Sequence, residues 1–355
     1  MRIITRTEAP VEPTVSSTCS TATASYHEAQ DWRQILAQSF RSADALLGYL
    51  GLPDDGILAP DHPALAFPLL VPRPYADGMT RGNPNDPLLR QVLPLAAEGL
   101  DDPAFVTDPL AEAASNQQPG ILHKYQGRVL MLTTTGCAVN CRYCFRRHFA
   151  YEDNRLSREQ RLQALDYIRQ DDSIQEVILS GGDPLMLQDD ALATLIDGIE
   201  GIPHVTRLRI HSRLPVVIPQ RITPALIQRL SDSRLNVCLV IHANHAAELT
   251  PAHEGLNRLH KAGIHVLNQS VLLKGVNDDL SILSDLSNKL FTFGVLPYYL
   301  HLPDNVAGTQ HYFVSDDEGR MLYRELRKIL PGYLVPQLVR EIPGAPYKQP
   351  MMMSC

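Results

Sequence analysis

Aromatic side chains are scarce in this 355-residue chain, at 6% with a single tryptophan. There is no positive excess either. Thirty-two Lys and Arg against 39 Asp and Glu leave a formal charge of −7, which argues against nucleic acid as the main partner, since that favours a basic face. No apolar run approaches the roughly 18 residues that a membrane span requires. Ile3-Ile4 after Arg2 is no signal-peptide core, and Glu8 and Glu12 fit a transit peptide poorly. Cysteine is sparse, and Cys19, Cys238 and Cys355 are too scattered to suggest a disulfide set. A reducing cytoplasm is the expected compartment, with no membrane partner. What remains, 44% hydrophobic and 20% charged, is a soluble globular composition with room for one large domain plus extensions.

The other three of the six cysteines, Cys137, Cys141 and Cys144, fall within one stretch, Thr133-Thr-Thr-Gly-Cys137-Ala-Val-Asn-Cys141-Arg-Tyr-Cys144-Phe-Arg-Arg-His148. It follows the apolar run Val129–Leu132 directly. Thiolates are natural ligands of iron–sulfur clusters, and an odd count closes no disulfide framework. Three ligands on a [4Fe–4S] cube leave one iron open to a small molecule. A structural zinc site is the main alternative, with His148 as a fourth ligand, but structural zinc usually takes two separated pairs. Three buried inert thiols are the other. The cluster is favoured.

Residues 1–25, rich in Thr, Ser, Ala and Pro, read as a flexible lead-in. From Asp31 an apolar stripe through Trp32, Ile35, Leu36, Phe40, Ala43, Leu46, Leu47 and Leu50 predicts a helix ended by Gly51 and Pro53. A helical N-terminal extension is expected over 26–120. From residue 128 strand-like runs (128–133, 176–180, 206–211, 236–242, 263–272, 295–301) alternate with helical ones (157–170, 189–199, 224–231, 246–262, 279–291, 315–330). Ser157-x-x-Gln160 and Ser315-x-x-Glu318 are capping-box patterns that open the first and last helices. Six strand–helix units in series imply right-handed parallel crossovers, and six are too few to close an eightfold barrel. The fold class is α/β: an open (β/α)6 partial barrel over 121–330, followed by a short C-terminal segment, 331–355. In barrels the site lies at the C-terminal strand ends.

Each such end carries a polar cluster. The second strand ends in Ser180-Gly181-Gly182-Asp183, where glycines let a ligand approach the backbone and a carboxylate could meet an ammonium, although alone it reads as an ordinary turn. The third ends in Arg209-Ile-His211-Ser212-Arg213, the fourth in His242-Ala-Asn244-His245, and the fifth carries Asn268-Gln269 and Lys274. A His242/His245 metal pair is disfavoured, because no carboxylate or cysteine lies near it in sequence.

The Cys-x3-Cys-x2-Cys spacing with Tyr143 before the last cysteine resembles the signature of the radical S-adenosylmethionine enzymes. The motif order over roughly 80–350 resembles one branch of them, the lysine 2,3-aminomutases and the related elongation factor P (R)-β-lysylation type. The matching segments are Asn83–Pro87, the cysteine loop, 180–184, 209–221, 268–278, Pro297-Tyr298-Tyr299 and Pro343-Gly344-Ala-Pro-Tyr-Lys348. The resemblance implies three cofactors: a [4Fe–4S] cluster on Cys137, Cys141 and Cys144, S-adenosylmethionine on its open iron, and pyridoxal phosphate on Lys348. It places Ser180, Gly181, Gly182, Asp183, Arg213, His242 and Gln269 among the cofactor contacts, with Lys124 and Arg128 near the coenzyme phosphate. It places Arg146 on the substrate carboxylate, and Asp304 and Glu341 on the far ammonium of lysine. The second acid is Asp in the free-standing aminomutases, and Glu341 here favours the β-lysylation type.

The implied reaction is L-α-lysine to (R)-β-lysine. A 5′-deoxyadenosyl radical takes hydrogen from the β-carbon while the migrating nitrogen rides on pyridoxal phosphate. C–H activation at such a carbon is beyond side-chain acids and bases. The implied partners are lysine, a flavodoxin- or ferredoxin-type electron donor, and elongation factor P with its lysyl ligase. A metabolic lysine 2,3-aminomutase, a radical enzyme without pyridoxal phosphate and a non-catalytic iron–sulfur protein stay open as alternatives.

Overall fold

The computed structural model describes residues 31–54, 67–112, 116–148 and 157–351. The lead-in expected over 1–25 lies outside them. Ten strands form one sheet in strictly sequential order: β1 (Asn116–Gln118), β2 (Ile121–Tyr125), β3 (Arg128–Thr134), β4 (Glu176–Gly181), β5 (Arg207–Ser212), β6 (Asn236–Ile241), β7 (His265–Val271), β8 (Leu296–His301), β9 (Gln337–Arg340) and β10 (Gln349–Pro350). Strands β3 to β9 run parallel, and β1, β2 and β10 are antiparallel additions at the two edges. This is an open partial barrel, and its six expected strand–helix units are β3 to β8.

Helices 158–170, 189–200, 224–231, 253–261, 280–292 and 316–329 supply the crossovers. Both expected capping boxes form: Ser157 and Ser315 accept from the backbone N–H of Gln160 and Glu318, whose side chains reach back. That closes two orphan donors at each helix start. The outer faces carry Val177, Leu179, Leu208, Ile210, Leu239 and Ile241, buried against the helices, while the alternate residues Ile178, Arg209, His211 and Cys238 face the interior.

The structure corrects three expectations. The helix expected over 246–262 is a 3-10 turn, Ala246–Leu249, followed by a helix that spans only His253–Lys261. The stripe from Trp32 to Leu50 is not one helix but two, Trp32–Ala37 and Ala43–Leu50. Between them Phe40 pairs with Val71 through two backbone hydrogen bonds, and Ser42 caps the second helix. The sheet also extends past six strands, because β1–β2 and β9–β10 had no apolar alternation to betray them. Trp32, Ile35, Phe40, Leu46 and Leu50 belong to the same buried cluster as the barrel's Val129, Leu179 and Leu208. Trp32 also stacks on the buried Arg221 at 5.0 Å.

Candidate active site

One cavity of about 670 Å³ runs inside the barrel, lined by all three cysteines of the loop. Every residue that the resemblance places on a cofactor or on the substrate lines it too: Lys124, Arg128, Arg146, Ser180, Gly181, Gly182, Asp183, Arg213, His242, Gln269, Asp304, Glu341 and Lys348.

The cysteine loop is fastened from below. Arg142 and Arg147, both buried, share the carboxylate of Glu98 at 2.5–2.8 Å. From the side it rests on the end of β4. Gly181 has φ +110°, and a Cβ on Gly182 would stand 2.3 Å from the carbonyl oxygen of Gly136. The glycine pair is therefore needed for close contact between two loops. Burial pushes the Cys137 and Cys144 thiols up, Cys144 to about 11, so iron binding there must release protons. Among the described residues no three His, Cys, Asp or Glu side chains are grouped to hold a metal ion. The thiols line one wall without converging on a point. A cube does not ask them to converge, because each thiolate takes a different iron. The donor set, three sulfurs without a carboxylate among them, fits the cluster. His148 instead contacts the carbonyl of Ala307 at 3.0 Å.

Two of the expected cofactor contacts also carry dense hydrogen bonding within the protein. The Asp183 carboxylate accepts from Ser212 Oγ (2.7 Å) and from the backbone N–H groups of Leu185, Arg213 and Leu214 at 2.8–3.0 Å. Burial raises its carboxyl pKa and these four bonds oppose the rise. It orders the rim of the cavity. Arg213 is likewise bound internally, to Cys141, Tyr143, Tyr75, Gln91 and Glu248. His245 accepts from its own turn and does not join His242, which meets Gln269 at 3.1 Å.

From the cysteine loop to the C-terminal segment runs a chain of alternating charges. Arg146 meets Glu112 through two bonds (2.7 and 2.9 Å), Glu112 meets Lys124 (3.1 Å), Lys124 meets Glu341 (3.2 Å), and Glu341 meets Lys348. Burial works against ionisation of Glu341, but Lys348 and Lys124 outweigh it and hold the carboxyl down at about 2. Arg128 lies over the Tyr125 ring at 4.7 Å. Lys348 arrives from the C-terminal segment because the turn through Gly344 (φ +75°) folds β10 back onto β9.

Asp304, just past β8, is the exception, a carboxylate without a hydrogen bond or ion pair to any described residue. Burial, then the charge of Glu341, raises it from 3.8 to about 7. In the same cavity, the buried Nε2 atoms of His211 and His301 also lack a hydrogen-bond partner among the described residues. Burial first, then neighbouring cations, keeps both imidazoles neutral. Glu112, Glu98, Gln91 and Glu248 were not singled out from sequence. They lie tens of residues from what they touch, and no local pattern marks them.

A cysteine-walled cavity at the mouth of an open barrel defines an iron–sulfur radical enzyme. The Radical SAM superfamily model matches residues 131–284. The chain is 49% identical over 323 residues to the L-lysine 2,3-aminomutase of Haemophilus influenzae, covering 90% of this chain and 95% of that one. It is 49% identical over 324 residues to that of Escherichia coli (91% and 94% covered). It is 36% identical over 324 residues to that of Clostridium subterminale (91% and 78% covered). The chain belongs to the L-lysine 2,3-aminomutase family. It is an isomerase of the radical S-adenosylmethionine class, and the cofactors of that family are a [4Fe–4S] cluster, S-adenosylmethionine and pyridoxal phosphate. No helix among the described residues is long and apolar enough to cross a membrane.

Proposed function

We propose that this enzyme converts L-α-lysine to (R)-β-lysine for attachment to elongation factor P. The observation that carries the substrate assignment is Asp304. A carboxylate held in a cavity without a partner costs several kcal/mol unless a cation meets it. A lysine whose carboxylate is taken by Arg146 reaches across the cavity with a four-carbon arm ending in an ammonium. Asp304 receives that charge, with Glu341 beside it, once Glu341 shares its bonds to Lys124 and Lys348.

When bound, the cluster and S-adenosylmethionine supply a hydrogen-abstracting radical, and pyridoxal phosphate on Lys348 carries the migrating nitrogen. The chain's own residues position and exclude. Cys137, Cys141 and Cys144 hold the cluster. Ser180, the Gly181–Gly182 backbone, His242 and Gln269 border S-adenosylmethionine, and Lys124 and Arg128 stand near the coenzyme phosphate. Enclosure of the cavity by β3 to β8 limits what besides the substrate can meet the radical and so limits side reactions. A flavodoxin- or ferredoxin-type carrier donates the electron, and a lysyl ligase consumes the product. Glu341 at the second acidic position supports the β-lysylation assignment over a metabolic aminomutase.

The test is an anaerobic assay with lysine, S-adenosylmethionine, pyridoxal phosphate and a reductant, with β-lysine sought by chromatography. Absence of β-lysine from protein holding all three cofactors would sink the substrate assignment. If β-lysine forms, but elongation factor P from cells lacking the gene has an unchanged intact mass, the product has a metabolic fate instead.

A further inference from the structure

We propose that Arg213 is a positioning residue that sets the reduction potential of the cluster, by aiming a fixed guanidinium N–H at the sulfur of Cys141. The inference rests on the assignment of Cys137, Cys141 and Cys144 as cluster ligands. Arg213 is buried, and its Nη1 lies 2.7 Å from Cys141 Sγ and 2.7 Å from the Tyr143 hydroxyl. Its Nη2 donates to Gln91 (2.7 Å), Glu248 (2.9 Å) and the Tyr75 hydroxyl (3.1 Å). The rings of Tyr75 and Tyr143 lie within 5.5 Å of the guanidinium carbon.

Glu248, the counter-charge, is itself pinned. Its other oxygen accepts from Gln91 Nε2 at 2.9 Å and from the backbone N–H groups of Asn244 and His245 at 3.0 Å. A guanidinium tethered on this many sides cannot swing out to a ligand, so one cation is permanently presented to one cysteine. Cys144, by contrast, accepts a backbone N–H from Arg146 and no side-chain N–H among the described residues.

Reduction brings one electron from an external one-electron carrier onto the cluster, and no bond is made or broken. The added negative charge spreads over iron and sulfur, so a donor aimed at a ligating sulfur favours the reduced form and raises the potential. The effect is strong because the site is dry and the donor already oriented. Glu248 opposes it by offsetting the arginine's charge. The two residues should therefore move the potential in opposite directions, a signature that a merely structural pair would not produce.

The test is an anaerobic redox titration of the reconstituted protein, followed by the electron-resonance signal of the reduced cluster, with iron content and circular dichroism measured alongside. Arg213→Gln should lower the potential of whatever cluster is loaded, Arg213→Lys should lower it less, and Glu248→Gln should raise it. If Arg213→Gln fails to fold or load, Glu248→Gln decides alone: a rise supports the proposal and no rise overturns it. Unchanged potentials, or shifts of both residues in one direction, overturn it as well. A chain that shows these shifts yet makes no β-lysine would defeat the substrate assignment and leave the role of Arg213 standing.

Discussion

The two walls of the cavity treat their polar groups in opposite ways. Around the cysteine loop they are heavily bonded: Asp183 has four donors, and Arg213 and Glu98 are held by several partners, with the Nε atoms of Arg213 and Arg147 left over among the described residues. Around Lys348 they are under-used. Glu112 and Glu341 are spread over three cations, and Asp304 has no partner among the described residues. A heavily bonded network fixes geometry, because removing any member strands the others. An unsaturated one awaits a ligand that completes it. The first wall is built to hold a cluster rigidly, and the second to exchange partners.

The comparison breaks most completely at the cysteines. Replacing Cys137, Cys141 and Cys144 by Ala should abolish the cluster and all turnover, whereas Cys238→Ala, on a strand at the far end of the barrel, should keep full iron content. Next in size is Lys348→Ala. Borohydride treatment of the coenzyme-loaded protein should fix no label in the C-terminal peptide of the variant, while the cluster stays. A label retained at Lys274 would reassign the coenzyme lysine.

Gly182→Ala tests the rigid wall. The new methyl meets the Gly136 backbone at 2.3 Å, so the cysteine loop must lift from β4. We expect a loss of about 3 kcal/mol in stability and reduced iron content. Denaturant melts matching the wild type would show that the loop is looser than its packing implies.

Asp304→Asn tests the exchanging wall, and we expect a roughly 100-fold fall in kcat/KM for lysine, since the buried ammonium would lose its charge partner. Cleavage of S-adenosylmethionine without lysine should continue. In the wild type Asp304 loses its proton only near pH 7, so kcat/KM should fall as pH drops through about 7. That acid limb should vanish in the variant.

The smallest effect concerns stability. The Asp304 carboxyl titrates higher in the folded chain than its ordinary 3.8, so the folded state binds the extra proton. Its contribution to stability is complete below pH 3.8 and is lost as pH rises through about 7. At pH 8 the substrate-free Asp304→Asn protein should therefore be the more stable one. At pH 3.5 the two should melt alike.

The six barrel strands and their helices were legible because each is long, apolar and bounded by caps or glycines. Strands β3 to β8 fall within about two residues of where the pattern puts them. The edge strands were not. Asn116–Gln118 is wholly polar, and Gln349–Pro350 is two residues long. The cysteine trio, the glycine pair and the Lys348 segment announced themselves as motifs, and all of them face one cavity. Asp183 shows the limit of that reading. The motif shows that the position matters, but only the fold shows that its carboxylate orders the Arg213–Leu214 turn.

The sequence by itself pointed to the class of chemistry, because three cysteines in one loop are a local fact of residue type and spacing, whereas Lys348 was marked only by the resemblance of its segment to a family motif. It determined the barrel too, since periodicity and caps act over one helix or strand at a time. The tertiary structure alone decided which charges meet. Glu112 finds Arg146 across 34 positions, and Lys124 finds Glu341 across 217. An ion pair depends on distance in space and on the dryness of its surroundings, and neither exists until the sheet has closed around them.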